Sequence, residues 1–103
     1  MNKKQIWESI ELELRSAKKK HKSWPDHVCG QAGIVVEEAG ELMRAALDWK
    51  YGRAETPEEQ HGQLMEMQQE AIQTAASCIR FLENMKSLSI TTQKESEPEK
   101  ELI

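Results

Sequence analysis

Three long stretches of helical spacing, cut apart by two prolines, leave this chain little choice of fold. Ile6, Ile10 and Leu14 recur every four positions with Trp7 beside them, which places one apolar stripe on a helix over residues 2–21. Ser23-Trp24-Pro25-Asp26 interrupts the pattern. Pro25 pushes Trp24 out of helical geometry, and Asp26 is placed to cap the next helix. That second helix is predicted from His27 to Lys50, with Gly52 marking its end. Tyr51 to Glu55 reads as a loop. Thr56-Pro57-Glu58-Glu59 combines a Thr cap, a Pro at the first helical position and a Glu that can close a capping box. It predicts a third helix over residues 57–87. Val, Ile and Thr are scarce and Gly and Pro are few, which disfavours strands. The expectation is an all-α fold, an antiparallel bundle of about three main helices forming a domain over 1–87. Residues 88–103, with sparse hydrophobes and dense charge, read as a disordered tail.

The chain has 103 residues, which is room for one domain. Its formal net charge is −4, a poor balance for a protein that neutralises the phosphates of a nucleic acid polymer. Mean hydropathy is −0.74, and no apolar run reaches the roughly 20 residues of a membrane span. No apolar signal-peptide core stands near the N-terminus. These features predict a cytoplasmic protein that uses no membrane. Cys29 and Cys78 stand outside any Cys/His cluster and read as reduced, half-buried thiols. Lys18, Lys19, Lys20 and Lys22 with His21 crowd the end of the first helix, where cations suit unpaired carbonyls, or where they would rim a phosphate site. A helical chain this short has a thin core, so a homo-oligomer, dimer or tetramer, is expected to complete it.

Glu-x-x-Glu spacing is cheap in so acidic a chain, and context decides which pair matters. Glu8/Glu11 lies on a polar side and Glu55/Glu58 at a helix start. Glu38/Glu41 is different. In helical projection Val28, Ala32, Val35, Ala39, Leu42, Met43 and Ala46 form an apolar face, and Gln31, Ile34, Glu38, Glu41 and Ala45 form a neighbouring stripe. On the third helix Leu64, Gln68, Ala71, Ile72, Ala75, Cys78, Ile79 and Leu82 read as the core stripe, flanked by Glu66, Glu70, Gln73, Ser77 and Arg80. Met43, Met65 and Met67 read as core fillers. Inward carboxylates need a partner. Arg44, three positions beyond Glu41, offers one ion pair. Otherwise the set asks for a hard cation such as Mg²⁺, Mn²⁺ or Ca²⁺, or for a polar interface of protonated carboxyls.

Glu37-Glu38-Ala39-Gly40-Glu41-Leu42, with Glu70-Ala71-Ile72-Gln73 one helix later, resembles the all-α NTP pyrophosphohydrolases, the MazG-like superfamily that includes dimeric dUTPases and dCTP pyrophosphatases. The resemblance covers about residues 24–85, and short chains of this type are common in phages and prophages. It implies Mg²⁺, with Mn²⁺ as a substitute, held by Glu38, Glu41 and Glu70, with Gln73 at the fourth position. Glu37 and Glu38 would be catalytic, Glu37 by helping to orient or deprotonate water. The implied reaction is attack of a metal-activated water on the α-phosphorus of a nucleoside triphosphate, giving a monophosphate and pyrophosphate. Gln73 departs from the family's usual Asp. The chain also lacks the family's further phosphate-contacting helix, offering only Lys94 and Lys100. Phosphate contacts are therefore expected from Lys50, Arg53 or Arg80, or from a second subunit. Trp24, His27 and Gln31 are the candidates for a nucleobase pocket. The alternative on the same scaffold is a non-catalytic helical module binding a nucleotide or a partner protein. A purely structural oligomer with buried, protonated Glu is the third reading.

Overall fold

The computed structural model describes residues 1–88; the predicted tail beyond Leu88, with Lys94 and Lys100, lies outside the described residues. Helix α1 is Lys3–Lys20, α2 is Val28–Tyr51 and α3 is Pro57–Asn84, with one 3₁₀ turn at Met85–Ser87 after it. No described helix is long and apolar enough to cross a membrane.

Each helix starts where a side chain answers its free N–H groups. Asn2 Oδ1 accepts from the Gln5 backbone N at 2.8 Å, and Gln5 Oε1 accepts in return from the Asn2 N at 2.9 Å. The cap of α2 is His27 rather than the expected Asp26: its Nδ1 accepts from Gly30 N at 3.3 Å. Pro25 folds against this first turn so closely that a Cβ on Gly30 would sit 3.0 Å from the Pro25 ring. The Thr56 capping box forms as predicted. Thr56 Oγ1 accepts from Glu59 N, and Glu59 Oε1 accepts from the backbone N of both Thr56 and Glu55. Gly52 ends α2 with extended backbone, not the left-handed turn its residue type suggests. Glycine is needed there for space, since a Cβ would collide with the carbonyl oxygen of Asp48.

The longest helix, α3, is the spine. Ile10 and Leu14 of α1 bury themselves with Ile72 and Ala76, and Ala75 and Ile79 pack around them. Glu13 accepts from Gln69 Nε2, and Lys18 pairs with Glu83 at 2.7 Å. These pairings ascend together, so α1 runs parallel to α3. On α2 the order descends, with Glu38 and Glu41 beside Glu70 and Gly52 beside Gln63, so α2 runs antiparallel. The backbones of α1 and α2 never approach each other. The result is an up-down-up layer with a trough between α1 and α2, floored by α3.

The trough changes which faces are covered. Gln31 and Ala45 are buried on α2, with Ile34 and Glu38 half-buried beside them. The stripe neighbouring the apolar face is therefore the one packed inside the chain. The purely apolar stripe is only partly covered: Val28 is 43% exposed and Met43 61%, with Ala39 exposed between them, while Ala32, Val35, Leu42 and Ala46 are half-buried. On α3, Leu64 (42%) and Leu82 (62%) stand clear with Ala71 and Cys78. Met43 and Met65 are exposed rather than core fillers. Both thiols are free but exposed rather than half-buried. The physical reason is that apolar patterning marks a face for burial without naming its partner, and α2, which packs on α3 alone, carries more apolar circumference than one neighbour can cover.

Candidate metal centre

Glu38 and Glu41 sit one turn apart on α2, and Glu70 meets them from α3. One carboxylate oxygen from each lies within 4.8 Å of the other two. Glu38 and Glu70 are half-buried and Glu41 is exposed. Among the described residues no cationic side chain answers them. The ion pairs there are Glu11–Arg15 and Lys18–Glu83, and Arg44 does not take up Glu41. Oε1 of Glu38 and Oε1 of Glu70 are buried without a hydrogen-bond partner.

Electrostatics follow from that crowding. Burial, then the charges of Glu41, Glu70, Glu37 and Glu13, hold the Glu38 carboxyl above the ordinary 4.5. Burial, then the charge and close approach of Glu41, with a smaller push from Glu66, raise Glu70 in the same direction. Like charges converging on one point of low solvent access favour protonation or a cation. Two orphaned, buried carboxylate oxygens in a set made of hard oxygen donors fit Mg²⁺ or Mn²⁺ better than a thiophilic ion.

Glu38 stands where this cluster meets the trough. Glu37, Glu38 and Gln73 all line the trough, a cleft of about 1180 Å³ that runs on to Trp24 and Arg80. Gln73 lies one turn after Glu70, and Glu38 is the residue common to the carboxylate cluster and the cleft wall, which Glu41 and Glu70 do not line. The volume exceeds what a small ligand needs.

The other expected contacts divide. Trp24 lines the cleft with its ring 4.7 Å from the Arg80 guanidinium carbon, and its Nε1 is buried without an acceptor. Arg80 is only 7% exposed and donates to the His21 carbonyl at 2.7 Å, pairing with neither Glu83 nor Glu70. His27 is occupied as the α2 cap, and Gln31 is buried with its Nε2 donating to the Pro25 carbonyl at 2.9 Å. Neither joins Trp24 on the cleft wall. Lys50 lies 5.6 Å from the Tyr51 ring and lines a separate groove near Gly52 at the opposite end of α2, with Arg53 on the loop between α2 and α3. Lys19, Lys20 and Lys22 do line the cleft. Their signal in the sequence is the basic run itself, which a helix end explains equally well. No family model, curated protein or solved structure matches the chain.

Proposed function

We propose that the protein is a Mg²⁺-dependent nucleoside triphosphate pyrophosphohydrolase that limits a nucleotide pool. The observation that carries this reading is the convergence of Glu38, Glu41 and Glu70 without any cationic side chain among the described residues. Glu38, Glu41 and Glu70, with the amide oxygen of Gln73, would hold the ion. When bound, it supplies neutralisation of phosphate oxygens and a water of lowered pKa. Glu37 lines the cleft next to Glu38, and in this reading it would orient the attacking water and take its proton. Water adds to the α-phosphorus, the bond to the bridging oxygen breaks, and the electron pair leaves with pyrophosphate. The chain works as a homo-oligomer, dimer or tetramer, in the cytoplasm. Support for the assembly comes from the uncovered apolar stripe through Val28, Val36 and Met43 on α2 and Leu64 and Leu82 on α3.

The test is pyrophosphate release from a panel of ribo- and deoxyribonucleoside triphosphates in Mg²⁺, Mn²⁺ or EDTA, beside Glu38→Ala. Metal-dependent release that disappears in the variant is expected. Silence with every nucleotide, while Mg²⁺ still raises the melting temperature, sinks the enzyme and leaves a helical module that binds a nucleotide or a partner. Gln73, which contributes no charge, is the feature favouring that second reading. Gln73→Asp separates the two: tighter Mg²⁺ binding and faster turnover are expected of an enzyme, and no gain in turnover of a binding module.

A further inference from the structure

We infer that the end of the cleft formed by Arg80, Trp24, Lys20 and Lys22 is an oxyanion subsite, and that it takes the terminal phosphates of a polyphosphate ligand. The identity of that ligand as a nucleotide rests on the proposed pyrophosphohydrolase function; the subsite itself does not.

Arg80 is the strongest element. It is 7% exposed, yet the groups it meets are a neutral carbonyl, that of His21, and the face of the Trp24 ring. No carboxylate pairs with it among the described residues. Glu83, the nearest acid in sequence, is taken by Lys18, and Asp26, which also lines the cleft, makes no ion pair with the guanidinium. A buried cation without an anion is costly, and the cost falls when an anion arrives. The planar guanidinium, with donors to spare, matches a phosphate in both shape and charge.

The surroundings point the same way. Trp24 Nε1 is a second buried donor with no acceptor. Lys20 and Lys22 line the same cleft and make no ion pair among the described residues. Guanidinium, indole N–H and ammonium groups only donate, so the complementary ligand is rich in acceptors and negative. At the other end of the cleft stand Glu37, Glu38 and Gln73. Gln73 and Arg80 are two turns apart on one helix, about 10 Å along its axis. A cleft with Glu37 and Glu38 toward one end and, at the other, Arg80 and the lysines outnumbering the single acid Asp26 suits a chain of phosphates whose inner member is met by a cation and whose outer members are met by Arg80 and the lysines. A monophosphate spans only one of the two poles. The Trp24 end is thereby a phosphate end and not a base pocket.

The experiment uses the full chain and inorganic tripolyphosphate, with binding read by calorimetry in EDTA and again in Mg²⁺. Lys20→Glu/Lys22→Glu reverses exposed charges without touching the core, and Arg80→Lys keeps the charge while removing the fork. Lys3→Glu/Lys4→Glu, with the same change of net charge at the far end of α1, is the control. Tripolyphosphate is expected to bind in EDTA, to lose at least tenfold in affinity in both cleft variants, and to be unmoved in the control. Equal affinity in all four proteins, or equal loss in the control, overturns the subsite, as does absence of binding in both EDTA and Mg²⁺. Failure of the two proposals is distinguishable. Binding that depends on the cleft residues in a protein that hydrolyses no nucleotide keeps the subsite and removes the enzyme. Hydrolysis with an unchanged KM in the double variant keeps the enzyme and removes the subsite.

Discussion

Glu38 and Glu70 are held in a place that resists their charge, and the sign of the consequence can be worked out. Both folded-state values lie above the ordinary 4.5. The folded chain therefore binds protons that the unfolded chain has released. Their contribution to stability is complete below the ordinary carboxylate range and is lost as pH rises through the raised values. The metal-free protein is expected to show this loss in a melting series from acid to neutral pH. Glu38→Gln should remove part of it and stabilise the chain at pH 7 by about 0.5 kcal/mol, the scale of relieving one like-charge pair on a helix. A melting temperature that falls in Glu38→Gln would mean the carboxylate is already compensated. Added Mg²⁺ should shift melting most at neutral pH, where it competes with fewer protons. Glu59 works with the opposite sign. Backbone N–H groups of Glu55 and Thr56 hold its carboxyl below 4.5, so its contribution is present above that value and is lost as pH falls through the lowered one.

At the scale of the element, helix ends are readable because caps are local. Thr56, Pro57 and Glu59 act within four residues of one another, and the bonds they form are those their spacing implies. Thr56→Ala should cost about 1 kcal/mol, measured by denaturant unfolding, through loss of the Oγ1 acceptor; an unchanged midpoint would show that α3 does not depend on its first turn. The α2 cap falls one residue later than its sequence suggests because both Asp26 and His27 can cap, and Pro25 favours the latter by packing on Gly30. Faces are harder than ends. The stripe through Gln31, Ile34, Glu38, Glu41 and Ala45 holds the buried residues of α2, Gln31 and Ala45, with Glu41 exposed on it, while the richer apolar stripe is half-covered and leaves Val28, Ala39 and Met43 exposed. The sequence holds both stripes, and only the course of α3 chooses between them. The gathering of Glu38, Glu41 and Glu70 is readable for the same reason as the caps: two carboxylates share one helical turn, and the helix that brings the third comes after a short loop. The meeting of the basic run with Arg80 is not, because residues 19–22 and 80 are brought together by the parallel docking of α1.

For the whole molecule, the uncovered stripes are a quantity to be explained. Val36 is 69% exposed and Met43 61%, each on α2 and one helical heptad apart. Large apolar side chains repeated along one face favour association with a like face. Met43→Glu is expected to shift the protein toward monomer in light scattering coupled to size exclusion, with helix content retained. The same mass for both proteins would place the assembly surface elsewhere or remove it.

The trough has one more consequence. Because the backbones of α1 and α2 approach α3 but not each other, and the ion pairs and side-chain hydrogen bonds of α1 to another helix go to α3, no polar strut between the two walls fixes the width of the cleft among the described residues. Each wall leans on a common floor, like two pages on a spine. A ligand that touches Lys20 or Lys22 on one side and Glu38 on the other would become the brace the protein lacks. Occupancy would then be felt as stiffness along the length of α1, far from the atoms that make the contact, and amide hydrogens there should exchange more slowly while the cleft is filled.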